Sequence, residues 1–218
     1  MNLSPARLAL IAAALTSIVL MSPAGCATSS SQSVKRSEKA VDSLADFRKQ
    51  LTSANAQLDK TVAALDALVA DTGDRKAALA AYSKELVALG KQGDDARKRS
   101  ESLQARGREY LAKWEQEVSE VSSPELKAQS EARRANAQQR MDEIRVRAEV
   151  AANAYRPLLS DLTDIEKVLA TDLSAANIQG VAPVAARARK DAGLLKTTID
   201  EFIAVIDQVM SGLGPQSG

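Results

Sequence analysis

From Leu79 to Trp114 the apolar and small residues fall into step. Leu79, Tyr82, Leu86, Leu89, Gly93, Ala96, Ser100, Leu103, Gly107, Tyr110 and Trp114 recur at alternating intervals of three and four. That seven-residue repeat, kept for five heptads, predicts one long helix carrying a single narrow stripe. After Trp114 the stripe continues through Val118 and Val121 in a shifted phase. Such a stripe must be buried against other helices, so the remaining long segments are its expected partners.

Those segments carry the same signal. Val41, Leu44, Phe47, Leu51, Ala54, Leu58, Val62, Leu65 and Val69 share one face of a helix expected from about Val34 to Val69. Asp71-Thr72-Gly73-Asp74 reads as a tight reversal, with Gly73 suited to a left-handed cap. The central helix should end near Val121. Ser123, Pro124 and Glu125 then provide an N-cap, a first-turn proline and a carboxylate at the positive end of a third helix. Its stripe includes Met141, Ile144, Ala148, Ala151, Tyr155, Leu158, Leu162, Ile165 and Leu169, with a bend expected at Pro157. Ser174 is the expected cap of a fourth helix bearing Ile178, Val181, Ala185, Ala188, Leu195, Ile199, Phe202, Ile206 and Val209, either continuous or restarting near Gly180 and Pro183. No strand-like alternation interrupts the pattern. The expected fold is all-α, an elongated antiparallel bundle of about four long, coiled-coil-like helices.

Composition narrows the chemistry. Aromatic residues make up 3% of the 218 residues, hydrophobic residues 45% and charged residues 26%. There is no histidine, which removes His-based triads, His metal ligands and imidazole acid–base catalysis. Cys26 is the sole cysteine, so neither an internal disulfide nor a thiolate cluster can form. With 29 basic and 28 acidic side chains, there is no electrostatic case for nucleic acid. No phosphate loop, nucleophile elbow or metal spacing is present. The expectation is a protein that is not an enzyme and needs no cofactor or metal.

The N-terminus supplies an address. Arg7 precedes an apolar run of thirteen residues, Leu8 to Leu20, short for a membrane span and suited to a secretory signal. Ala24-Gly25-Cys26 resembles the end of a bacterial lipobox, with cleavage between Gly25 and Cys26 and acylation of the Cys26 thiol. Pro23 stands where that pattern has an aliphatic residue, and Ser22-Pro23-Ala24 also fits ordinary export to a soluble periplasmic form. By resemblance to enterobacterial sorting rules, Ala27 after the cysteine favours the outer membrane. The expected organisation is a signal peptide over 1–25, acylated Cys26 with a Ser-rich tether over 26–33, the helical bundle over 34–212 and a disordered tail over 213–218.

The run Tyr110-Leu111-Ala112-Lys113-Trp114-Glu115-Gln116-Glu117 resembles the Trp-Glu-x-Glu signature of an uncharacterised bacterial family, domain of unknown function 2959. Pro124-Glu125-Leu126-Lys127-Ala128-Gln129-Ser130 and Pro157-Leu158-Leu159-Ser160-Asp161-Leu162-Thr163-Asp164 are similar to it as well, and the likeness runs from about Leu44 to Phe202. Where the family carries a Lys-His-Asn-Leu-Asn-type run, this chain reads Ala170-Thr171-Asp172-Leu173-Ser174, so no histidine-dependent role carries over. The resemblance implies an envelope protein, often a lipoprotein, with a coiled-coil body and no established activity.

Few residues stand out as sites. Trp114, the sole tryptophan, is either a core residue or a docking anchor rimmed by Glu115, Glu117 and Glu120. Gly93 and Gly107 lie in the stripe and mark either close helix approach or a flexible joint, with a break at Gly90–Asp94 as the alternative. Glu143, Glu149, Asp161, Asp164 and Glu166 read as a solvated face or cross-helix ion pairs. The basic runs Arg97–Arg99 and Arg187–Lys190 read as solvated surface or as contacts for anionic headgroups. The expected role is a membrane-anchored envelope module for interaction or spacing, held by N-terminal acyl chains and partnered by an envelope protein or by its own copies. A carrier holding an apolar ligand between helices and a self-assembling structural coiled coil are the competing expectations.

Overall fold

The structure, a computed structural model, describes residues 26–70 and 73–213. The signal-peptide region with Gly25, the first two residues of the Asp71–Asp74 reversal and the tail from 214 onward lie outside the described residues. Two compact units are distinguished, Met1–Lys35 and Arg36–Gly218. Of the first, only the helical backbone from Cys26 onward is described.

Four helices make up the described chain: α1 (Cys26–Val69), α2 (Arg75–Ser119), α3 (Pro124–Thr171) and α4 (Ala175–Leu213). Among the described residues there is no strand. At 1.5 Å per residue, the helices of 39 to 48 residues are roughly 58 to 72 Å long. The helix expected from Val34 begins at Cys26, so the Ser-rich stretch assigned as a tether is helical. The continuous alternative holds for α4, which passes through Pro183, and α3 runs through Pro157 in the same way. Pro157 is exposed, so the Asn153 carbonyl that loses its backbone donor is solvated rather than buried.

The helix ends are set by short polar side chains. Asp74 caps α2, its carboxylate accepting from the Lys76 and Ala77 amides at 2.9 and 3.1 Å. Gly73 precedes it with φ +129°, a conformation that a Cβ would strain. Ser123 caps α3 and also donates to Glu125, whose carboxyl is held below its usual range first by its own backbone amide and then by the Ser123 hydroxyl. Ser174 caps α4 by accepting from Asn177 N–H.

Within the Arg36–Gly218 unit the helices are antiparallel neighbours in a ring, α1–α2–α3–α4 and back to α1. Gln50–Gln92 and Gln57–Glu85 join α1 to α2. Tyr82 donates to the Leu162 carbonyl and Ser83 to Glu166, joining α2 to α3. Arg187–Asp161 and Arg147–Glu201 join α3 to α4. The α1–α4 seam carries Arg48–Asp207, Asn55–Asp200, Asp59–Lys196 and Asp66–Arg189. Each step of seven, four and seven along α1 is matched by the same step back along α4, the constant register of a left-handed coiled coil.

One apolar core runs through this unit, with Leu58, Leu65, Ile144, Leu158, Leu162, Phe202 and Ile206 among its fully buried members. Phe47 meets Phe202 edge to face at 5.5 Å. Polar groups are threaded into the seam of α1. Thr61 and Gln57 donate to the Glu85 carbonyl, while Asn55 donates to Asp200 and leaves its Oδ1 buried without a partner.

Candidate ligand cavity between the helices

The α2 stripe does not close uniformly on its neighbours. Tyr82, Leu86, Leu89 and Leu103 are buried, but Gly93, Ala96 and Gly107 are only partly so. At Gly93 and Gly107 the space is taken by a neighbour from α3. A Cβ on Gly93 would overlap the Tyr155 ring, and one on Gly107 would overlap the Met141 methyl. These glycines are sites of close helix approach, and α2 is unbroken through Gly90–Asp94.

Around the Gly93 contact, and stopping short of the Gly107 contact, the bundle holds a cavity of about 750 Å³. Its floor is apolar and drawn from α1 and α4: Phe47, Leu51, Leu58, Leu195, Ile199 and Phe202. Small residues of α2 and α3, including Gly93, Ala96, Ser100, Ala148 and Ala151, form its sides. Its charged lining residues are Asp94, Arg97 and Glu101 from α2 and Arg145, Glu149 and Arg156 from α3, all of them exposed. The mouth therefore opens along the α2–α3 seam. Facing small side chains leave the space between the helices unfilled here, unlike the close packing of an ordinary core.

The hydrogen bonds follow the same division. On one side of the mouth the seam is tied by Tyr155, whose hydroxyl donates to the Leu89 carbonyl at 3.0 Å. On the other, Trp114 Nε1 donates to Ser130 Oγ at 3.0 Å and Arg134 pairs with Glu115. Among the described residues, the rim charges Asp94, Arg97, Glu101, Arg145, Glu149 and Arg156 make no pair across the seam between these ties. The rim charges pair along their own helices instead, Arg97 with Glu101 and Asp94, and Arg145 with Asp142 and Glu149. Arg156 differs, binding the Ala152 carbonyl and Asn153 Oδ1 of its own helix, with no carboxylate partner among the described residues. Burial pushes the Tyr155 hydroxyl up to about 12, with the nearby Asp94 charge adding to the effect. The phenol is therefore neutral and remains a donor to Leu89.

Trp114 is half-buried at the far tie, its ring edge-on to Tyr110 at 5.6 Å. Glu115, Glu117 and Glu120 are exposed beside it, Glu115 being paired with Arg134. The basic run on α4 is largely committed to cross-helix pairs, Arg187 to Asp161 and Arg189 to Asp66. No cluster of carboxylates or cysteine suited to a metal occurs among the described residues, and no helix among them is long and apolar enough to cross a membrane. The Ala- and Gly-rich seam allowed for such a groove without locating it, because an alanine against a neighbouring helix and an alanine beside a void read alike.

Long antiparallel helices around a single apolar core, grooved along one seam, define this chain as a helical-bundle protein. It belongs to the family described as protein of unknown function DUF2959, whose model matches residues 27–213. No curated protein and no solved structure matches the chain.

Proposed function

We propose that this protein is a non-enzymatic, lipid-anchored component of the cell envelope whose bundle binds an apolar molecule between its helices. The cavity carries this reading. Its volume of about 750 Å³ falls within the roughly 300–1,000 Å³ common for small-molecule sites, and apolar side chains from all four helices line it. Removing an apolar ligand from water contributes about 25 cal/mol for each Å² buried, without any directional chemistry from the protein. The Ala24-Gly25-Cys26 sequence supports acylation of Cys26 and a position facing the periplasm, with the outer membrane as the favoured site.

Filling the cavity tests the reading. Ala96→Leu and Ala151→Leu should abolish binding of a neutral aliphatic fluorescent probe while leaving thermal stability unchanged or raised, since cavity-filling commonly adds about 0.5–2 kcal/mol. Equal probe binding by the filled and native proteins would place the binding elsewhere and end the proposal.

A second reading keeps the protein as an interaction or spacer module. The exposed carboxylates of Glu115, Glu117 and Glu120 around half-buried Trp114 support it, because an aromatic with an acidic rim suits a partner surface. Photo-crosslinking from Gln116 in cells, with Arg99 and Arg189 as control positions, should capture one envelope protein or a second copy if that surface is used. Capture at the controls alone would remove it.

A further inference from the structure

We infer that the cavity takes a single-chain lipid whose anionic head group, a carboxylate or a phosphate, docks on Arg156 at one end of the mouth. The inference rests on the cavity reading above and names its ligand. Shape comes first. The cavity follows α2 from Leu89 to Gln104, about 22 Å at the helical rise. A volume of about 750 Å³ over that length leaves a mean cross-section of roughly 34 Å². An extended hydrocarbon whose carbons touch neighbours at about 3.5–4.0 Å has a cross-section on the order of 15–20 Å². The slot thus accommodates a flexible chain laid along its length.

Charge fixes the orientation. The floor from α1 and α4 is apolar, so a polar head is excluded from it and must lie at the mouth. Three cations stand there. Arg97 and Arg145 each have two carboxylates of their own helix within 4.0 Å. Arg156 has two neutral acceptors and no carboxylate among the described residues. Of its five N–H donors, two are occupied within the chain, and the planar guanidinium suits bidentate binding of a carboxylate or phosphate. It stands next to Tyr155, at the tied end of the slot, where the tail can run from the head toward Gln104.

The test uses the full chain in phosphatidylcholine vesicles, with photoreactive diazirine analogues of palmitate, hexadecyl phosphate and hexadecanol. Labelled residues are mapped by peptide mass spectrometry, which separates insertion into the cavity from partition into the vesicle. Palmitate, hexadecyl phosphate or both should label the floor residues, such as Leu58, Ile199 and Phe202, at least five-fold more than the alcohol. The relative labelling by the two anions distinguishes the source chemistry. Arg156→Gln should remove that preference, and Arg156→Lys should restore part of it, with the helical circular dichroism of both variants unchanged. If the alcohol labels the floor as strongly as the anions, the head-group assignment is overturned while the cavity reading stands. Absence of floor labelling by all three probes would overturn both.

Discussion

Three glycines of one helix should respond to the same substitution in different ways. Replacing glycine by alanine inside a helix gains about 0.5–1 kcal/mol through the backbone. At Gly90 nothing lies within 4 Å of the added methyl, so Gly90→Ala should show that gain undiminished. At Gly107 the obstacle is the terminal methyl of Met141, a flexible group that can turn aside, and Gly107→Ala should come out near neutral. At Gly93 the obstacle is the Tyr155 ring. Overpacking there costs about 1–3 kcal/mol, and displacing the ring sacrifices its bond to Leu89, about 0.5–1.5 kcal/mol more. Gly93→Ala should therefore be destabilising by about 0.5–4 kcal/mol net of the helix gain. Urea unfolding followed by far-ultraviolet circular dichroism measures all three, and thermal midpoints should move by roughly 2–4 °C per kcal/mol in a domain of this size. Combining Gly93→Ala with Tyr155→Ala should restore the stabilising sign of the glycine substitution, a coupling that a double-mutant cycle isolates. Equal stabilisation by Gly90→Ala and Gly93→Ala would refute the close approach that ties one end of the cavity.

Three further outcomes are expected. Burial holds the Tyr155 pKa at about 12 against an ordinary 10.0, so the native state favours the neutral phenol; its contribution is complete below pH 10 and is lost as pH rises toward 12. Denaturant midpoints of the native protein should accordingly fall relative to Tyr155→Phe across that interval and run parallel below it. The Arg187 hydrogen bonds hold the Asp161 carboxyl below its ordinary 3.8, so its small, salt-screened contribution is present above pH 4 and disappears as pH falls through the lowered value; the stability gap to Asp161→Asn should close over the same range. Asp74→Ala frees two amides at the start of α2 and should lower stability by about 0.5–2 kcal/mol in the same urea titration.

Much of the fold was legible because long helices repeat their instructions. Leu44, Leu58 and Leu65 on α1, and Ile144, Leu162 and Ile206 elsewhere, are buried as their periodicity requires. The misreadings fall where periodicity admits more than one residue. Leu111 is buried beside the stripe that Tyr110 was expected to carry, and Leu68 is buried while neighbouring Val69 is partly exposed. Asn55, Gln57 and Thr61 enter the α1 seam as polar residues that an apolar stripe passes over. The cavity was harder to read for a different reason. Gly93 and Gly107 receive side chains from α3, while Ala96, Ala148 and Ala151 line empty space. A small residue specifies how near a neighbour can come, and only the neighbour determines whether it does.

The pairs along α1 and α4 have a consequence for alignment. Sliding α4 by one heptad would set Arg48 against Asp200 and Asp59 against Arg189, still of opposite sign. Sliding it the other way would set Asn55 against Asp207 and Asp66 against Lys196, again compatible. Charge therefore works here like a comb with repeated teeth: a slip of a whole tooth keeps two of the four pairs and sets no like charges together. Because exposed pairs are individually weak, the choice among those settings passes to features that occur once, such as the edge-to-face seat of Phe47 on Phe202. A substitution that removed that aromatic contact while sparing every charged partner would turn a single alignment into a choice of several.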